Sequence, residues 1–154
     1  MEYEIVNLES KTFAGVCATT SNGADDMKTK IGGLWQSFCG GIWQKMSGLA
    51  NRKNVGLYCD YGKTAKDSYL VLVGAEVTKE GANKAEKAGL CVKSVPAGKY
   101  AKFTVRGSVS VAVGKAWKEI WKTPLDRTFT GDFEEYQEDC DGKNGTIFIY
   151  VAVK

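Results

Sequence analysis

The alternation of apolar and polar residues divides the first half of the chain into four elements. Residues 2–20 alternate at the period of a strand and predict extended structure. Residues 24–46 carry apolar side chains at helical spacing and predict an amphipathic helix. Two further strands are predicted at 54–61 and 67–77. The apolar stripe of the helix consists of Met27, Ile31, Leu34, Trp35, Phe38, Ile42 and Met46.

The second half repeats this order of elements. Residues 89–105 predict a strand interrupted by a turn at 96–98, and residues 108–122 predict a helix that stops before Pro124. Two strands follow, from "RTFTGDFEEYQED" and "TIFIYVAVK". The letters also match, because "IGGLWQSF" aligns with "VGKAWKEIW" and "SKTFAGV" aligns with "AGKYAKF". A duplicated strand-helix-strand-strand unit therefore explains this order better than coincidence does.

This duplication predicts a single α+β domain over residues 1–154. Repeat one covers about 1–80 and repeat two about 88–154, with the polar segment 78–89 as an exposed linker. The two units, related by pseudo-twofold symmetry, are expected to form an antiparallel sheet with two helices and a ligand groove at the seam.

Two of the predicted strands indicate how the sheet is covered. Residues 69–77 and 146–154 are apolar on both faces. Such strands are typical of the middle of a sheet whose two sides are both buried.

The composition limits the possible chemistry. The chain has 154 residues, a formal net charge of +3 with basic residues scattered among acids, and no histidine. Scattered basic residues argue against direct nucleic-acid binding, and the lack of histidine removes imidazole catalysis and most zinc and haem sites. The five cysteines are widely spaced and form no C-x-x-C pair, which is typical of buried thiols in a reducing compartment.

The sequence also lacks the signals of export and of nucleotide binding. The N-terminus is unlike a signal peptide and no apolar run has the length of a membrane span, so we expect a cytoplasmic protein with no membrane association. The glycine-rich stretches fit neither a phosphate-binding loop nor a dinucleotide fingerprint. We therefore expect no cofactor and no bound metal.

The four tryptophans lie on the two predicted helices, at Trp35, Trp43, Trp117 and Trp121. Core packing is the ordinary explanation of a helical tryptophan. Trp117 and Trp121 share one helix face, however, and an aromatic wall for a flat or cationic guest is the alternative.

Four glycines at positions 32, 33, 40 and 41 lie within the first predicted helix. Each weakens a helix by about 1 kcal/mol relative to alanine. Two interpretations are open. Either the helix is shorter or broken between Phe38 and Ile42, or it is a mobile wall that admits ligands of different shapes.

The segment "FEEY" places two carboxylates between aromatic residues on a predicted strand. Phe133 shares one face with Glu135, and Glu134 shares the other with Tyr136. One interpretation is an edge strand with Phe133 inward and Glu134 in water. The other has Glu134 and Tyr136 facing the seam, where the carboxylate meets an incoming cation. Alternation alone does not decide between them.

Over its whole length the chain resembles the GyrI-like small-molecule-binding domain, also known as the AraC-type effector-binding domain. The resemblance rests on "YEIVNLESKTFAGV", "VPAGKYAKFTV", "AWKEIW", "FEEY" and "IYVAVK" in this order. It implies the doubled architecture and a groove that binds hydrophobic, often cationic compounds. The family's Phe-Glu-x-Tyr pattern falls on Phe133, Glu134 and Tyr136, which implies that Glu134 is the acid of the pocket.

The function expected from this resemblance is that of a stand-alone drug- or toxin-binding protein. Glu134 is expected to act as the countercharge of a cation within an aromatic lining. The expected ligand-binding residues are Glu134, Tyr136, Trp117, Trp121, Trp35, Phe38, Tyr69 and Tyr58.

Two other functions are alternatives. The first is a hydrolase of strained electrophiles, in which Glu134 acts as general base and Tyr136 stabilises the developing oxyanion. The second is an interaction protein that protects DNA gyrase or acts with a separate regulator.

Overall fold

The computed structural model describes residues 1–21, 25–62 and 68–154. Its strands are β1 (Glu4–Leu8), β2 (Lys11–Thr20), β3 (Leu49–Cys59), β4 (Tyr69–Val77), β5 (Cys91–Val95), β6 (Gly98–Ser108), β7 (Arg127–Tyr136) and β8 (Asn144–Val153). Its main helices are α1 (Met27–Ser37), α2 (Lys79–Lys87) and α3 (Val109–Lys122). None of the helices in these ranges is long and apolar enough to cross a membrane.

The strands form one antiparallel sheet in the order β1-β6-β8-β7-β3-β4-β2-β5. The order is symmetrical about the junction of β7 and β3, because each strand of one half has its counterpart at the same distance on the other side. The first strand of each half is exchanged: β1 pairs with β6, and β5 pairs with β2. The antiparallel α+β fold predicted from the sequence is confirmed.

Both faces of the sheet are covered. On one face α1 packs against β2 and β4, and α3 packs against β6 and β8, so the two helices flank the β3–β7 junction. On the other face the sheet curls around an aromatic core whose largest members are Phe13, Tyr100, Phe133 and Tyr150. The central strands therefore bury side chains on both sides.

Strand β7 lies in the middle of the sheet, between β8 and β3, so the edge-strand interpretation of "FEEY" is wrong. Asp132, Phe133, Glu134 and Glu135 are all buried. Phe133 packs in the aromatic core, whereas Glu134 lies on the face that carries the helices. Burial on both faces explains why alternation could not orient this strand.

The segment 78–89 is largely exposed, as expected, but it forms a helix that packs on the sheet rather than a polar linker. Helix α2 begins after Thr78, whose Oγ1 accepts a hydrogen bond from the backbone N–H of Gly81 at 3.1 Å. It packs on the ends of β2 and β4 through Ala82 and Ala85. Because only small side chains make this contact, the sequence lacks the apolar stripe that indicates a helix. Within the described ranges the sheet therefore carries three main helices rather than the expected two.

The first predicted helix is broken. Regular helix α1 ends at Ser37, and a π-helical turn over Phe38–Ile42 leads into a last short turn at Trp43–Lys45. This break lies between Phe38 and Ile42, as the first of the two interpretations of the helical glycines predicts.

Candidate functional site

The junction of β3 and β7 forms the floor of the candidate site. Gly56 lies opposite Glu134, and Tyr58 lies opposite Asp132. A Cβ atom at position 56 would lie 3.0 Å from Glu134 Oε1 and 3.5 Å from Trp35 Cζ2. Glycine therefore leaves the space that the carboxylate occupies. Sequence reasoning missed this role, whose only signal is a glycine inside an otherwise apolar strand.

Three neutral donors hold the Glu134 carboxylate. Trp117 Nε1 donates a hydrogen bond to Oε2 at 2.6 Å, and the Tyr58 hydroxyl donates to the same oxygen at 2.8 Å. The Tyr136 hydroxyl donates to Oε1 at 2.8 Å. The donors come from α3, β3 and β7, so both halves of the chain meet at this one side chain.

Aromatic rings surround the same carboxylate. Tyr58 contacts Trp117 edge-on with 5.4 Å between ring centroids, and it contacts Tyr69 at 5.9 Å. From the side of α1, Trp35 contacts Tyr136 at 4.9 Å. Helices α1 and α3 thus form two walls above the strand floor. The carboxylate and these five rings are called the central cluster below.

The central carboxylate is buried, and among the described residues it has no cationic partner. Glu134 is 2% exposed, and no lysine or arginine forms an ion pair with it in the described part of the chain. Burial raises the pKa of Glu134 above the ordinary glutamate value, and the hydrogen bonds from Trp117, Tyr136 and Tyr58 oppose this shift. Burial and the neighbouring carboxylate raise the pKa of both tyrosines well above the ordinary value, so both phenols stay protonated as donors.

The structure does not bring Phe38 or Trp121 to this carboxylate. Phe38 is fully buried in the core beneath α1, with its ring centroid 6.3 Å from that of Trp43. Trp121 lies one turn beyond Trp117 and is 52% exposed, because Ile120 takes the inward position at this end of α3. The predicted residues that do come together are Glu134, Tyr136, Trp117, Trp35, Tyr69 and Tyr58.

A second buried carboxylate, Asp132, lies two residues away on β7 and was not predicted from the sequence. Its Oδ2 forms an ion pair with Arg127 Nη2 at 2.5 Å and accepts a hydrogen bond from the Tyr61 hydroxyl at 2.5 Å. Its Oδ1 accepts the backbone N–H of Ala152 at 2.9 Å. In contrast to the central carboxylate, Asp132 therefore has a cation of its own.

Glu134 should make the stability of the protein fall as pH rises. Because burial raises its pKa above the unfolded value of about 4.3, the folded chain binds more protons between the two values. Its contribution to the free energy of unfolding is greatest below the unfolded pKa and is lost as pH rises to the folded pKa. Urea unfolding of wild type and Glu134→Gln should show their stability difference declining with pH. A difference that increases with pH would mean that the hydrogen bonds outweigh burial.

Residues 4–153 match the family described as integron-associated effector binding protein, Cass2. The YobU protein of Bacillus subtilis (strain 168) is 33% identical over 158 residues, which cover 97% of this chain and 96% of YobU. Its name places it among transcriptional regulator proteins. The chain belongs to the Cass2 family of effector binding proteins, a GyrI-like family, and the resemblance seen in the sequence is confirmed.

Two solved structures share the fold. The integron cassette protein VCH_CASS2, from the mobile metagenome of Vibrio cholerae, has a TM-score of 0.78 at 26% identity, covering 99% of this chain and 95% of that one. SAV2435 bound to tetraphenylphosphonium has a TM-score of 0.77 at 22% identity, covering 100% of this chain and 94% of that one. The whole described chain therefore has the architecture of these proteins.

Proposed function

We propose that this protein captures lipophilic organic cations, with Glu134 as the countercharge. The observation that carries the proposal is the central carboxylate, which is buried among neutral donors without a cationic partner in the described residues. Leaving a charge buried and unpaired costs roughly several kcal/mol. A guest that supplies the opposite charge recovers part of this free energy, so the arrangement favours binding of a cation.

The rings of the central cluster support the same guest. The face of an aromatic ring attracts a cation by about 0.5 to 2 kcal/mol, and its area favours apolar substituents. Tyr58, Trp117 and Trp35 surround the carboxylate from the floor and from both walls. The ligand of SAV2435, tetraphenylphosphonium, is a lipophilic cation, which supports this chemistry for a protein of the same fold.

A guest must separate the rings to reach the carboxylate, because they close over it in this structure. Helix α1 is the wall best suited to move. A Cβ atom at positions 32 and 33 of α1, or at position 40 of the π-helical turn that follows it, would contact nothing within 4 Å, so close packing does not account for these three glycines. We include a movable α1 wall in the proposal, since glycine lowers the cost of rearranging a helix.

The hydrolase alternative would use the same carboxylate as a general base. Three hydrogen bonds already engage its oxygens, and the neighbouring acid Asp132 is paired with Arg127. This arrangement favours charge pairing over proton abstraction. Action on DNA gyrase or together with a separate regulator stays a prediction.

Tryptophan fluorescence tests the proposed function. Wild-type protein is titrated with tetraphenylphosphonium and with triphenylphosphine oxide, a neutral compound of similar ring content. We expect saturable quenching by the cation at micromolar concentration and at least about tenfold weaker binding of the neutral compound. Equal affinity for the two compounds, or no saturable signal with the cation, would contradict the proposal.

Two variants locate the signal on the molecule. Trp121→Phe removes an exposed indole outside the central cluster and should leave the quenching nearly unchanged. Trp117→Phe removes an indole that donates to the carboxylate and should reduce both the amplitude and the affinity. The reverse order of effects would place the binding site at the exposed end of α3.

A further inference from the structure

The two buried carboxylates of β7 are balanced differently. Asp132 and Glu134 project from the same face of the strand, and such neighbours lie about 7 Å apart. Glu134 is held by neutral donors, whereas Asp132 is paired with the guanidinium of Arg127. The face therefore has two acidic poles, one of which is already neutralised.

A continuous row of tyrosines joins the two poles. Tyr58, which donates to Glu134, contacts Tyr69 with 5.9 Å between ring centroids. Tyr69 contacts Tyr61 at 6.0 Å, and the Tyr61 hydroxyl donates to Asp132. A flat guest lying along this row would reach both carboxylates.

Arg127 occupies the second pole as a resident cation. Its guanidinium carbon lies 4.3 Å from the ring centroid of Phe129 and 5.9 Å from that of Tyr61. Aromatic rings with a buried carboxylate are the combination that the central cluster offers to a guest. The Arg127 side chain is only 15% exposed, and its buried Nε has no hydrogen-bond partner in the described part of the chain.

The backbone beside Arg127 departs from regular strand geometry. Phe129 has a φ of +56°, in the left-handed region that aromatic residues rarely adopt. The register between β7 and β8 shifts between Arg127 and Asp132, which lets the arginine fold back onto the aspartate. Such strain persists where the surroundings impose it, and it frequently accompanies ligand sites.

We propose that Arg127 sets the charge selectivity of the ligand site. By neutralising Asp132 it leaves one unbalanced carboxylate, so the site takes singly charged organic cations in preference to doubly charged ones. The inference rests on the proposed function and assigns Arg127 a specificity-determining role through its charge. The guest chosen by this arrangement is a bulky monocation rather than a bis-cation.

Titration calorimetry with two cations tests the inference. Tetraphenylphosphonium carries one charge, and methyl viologen is a flat dication whose charges are about 7 Å apart, the spacing of the two poles. Arg127→Met removes the charge but keeps an apolar stem, so Asp132 becomes a second unbalanced acid. The affinity for the dication relative to the monocation should increase about tenfold. An unchanged ratio in the folded variant would overturn the inference.

Asp132→Asn tests the same inference without leaving a buried carboxylate unpaired. Arg127 then carries an unopposed positive charge, which cancels the negative charge of Glu134 over the site as a whole. The affinity for tetraphenylphosphonium should fall about tenfold relative to that for triphenylphosphine oxide. An equal decline for both compounds, or no decline for either, would count against selectivity by charge.

Arg127→Lys is the matched control, because it keeps the charge and should keep the wild-type ratio of the two cations. A shift as large as that of Arg127→Met would assign the effect to guanidinium geometry and overturn the inference. Failure of the proposed function is separable from this result. If the proposed function is wrong, wild-type protein will not bind tetraphenylphosphonium. If wild-type protein binds this cation but substitutions of Arg127 do not change its charge selectivity, only the present inference is wrong.

Discussion

Replacing Glu134 by glutamine should lower the affinity for a lipophilic monocation about a hundredfold and leave the affinity for its neutral analogue nearly unchanged. The magnitude corresponds to roughly 3 kcal/mol, the interaction of two charges about 5 to 6 Å apart at an effective dielectric constant of about 20. The loss falls on the cation alone, because only the cation interacts with the removed charge. Titration calorimetry with the two phenyl compounds measures both affinities.

Glutamine suits this experiment because the surrounding donors accommodate it. Its amide oxygen at the position of Oε2 accepts the hydrogen bonds of Trp117 and Tyr58. Its NH₂ group at the position of Oε1 donates to the hydroxyl oxygen of Tyr136, once that hydroxyl turns its proton away. Packing is thus kept, and the change in affinity reports the loss of charge.

Glu135→Gln is the matched control. Glu135 is the next residue of β7 and is also buried, but it lies on the opposite face, where it contacts Lys53 at 3.5 Å and Gln137 at 3.0 Å. Its neutralisation should leave cation affinity within about twofold of wild type, since Glu135 faces away from the site and its charge is already paired with Lys53. A larger loss of cation affinity in Glu135→Gln than in Glu134→Gln would contradict the proposal, because the acid that binds the cation would then lie on the face of the sheet opposite to α1 and α3.

Gly74→Ala should lower the free energy of unfolding by about 3 kcal/mol. Gly74 lies directly opposite Gly15 in the β2–β4 pair. A Cβ atom at position 74 would lie 1.9 Å from the carbonyl oxygen of Ala14 and 3.0 Å from the Cα of Gly15. Because these neighbours are backbone atoms in the middle of a sheet, the two strands must separate to admit a methyl group. Urea unfolding monitored by circular dichroism measures the effect.

Gly114→Ala provides the control for that substitution. Gly114 lies inside α3, and a Cβ atom there would contact nothing within 4 Å. The same chemical change should stabilise this variant by up to about 1 kcal/mol, because alanine favours the helix. Equal stability of Gly74→Ala and wild type would show that β2 and β4 do not approach as closely as described.

The sequence predicted the fold well because its elements repeat and its apolar pattern is strong. Helix α3, with Ile120 inward and a stop before Pro124, follows its pattern closely. Helix α2 was missed because it packs through Ala82 and Ala85, which carry little hydrophobic signal. Periodicity detects large apolar side chains, and a helix held by small ones escapes it.

The candidate site was likewise only partly predictable from the sequence. A family pattern selected Glu134, since the face of a strand buried on both sides cannot be chosen from alternation. Trp121 was grouped with Trp117 by helical spacing, but spacing does not show where α3 leaves the sheet. The Arg127–Asp132 pair depends on a register shift and on a left-handed residue, and neither has a dependable signature in a single sequence.

The exchange of first strands between the two halves has a consequence for synthesis of the chain. Strand β1 pairs with β6, with Glu4 opposite Lys102, so its partner leaves the ribosome about a hundred residues later. Ile5 and the rest of β1 have no partner strand during this interval, and the outer edge of β2 stays open until β5 arrives. Pairings over such long separations form slowly. The first half of the nascent chain is therefore an unfinished sheet, and the central cluster can assemble only after β7 and α3 have emerged.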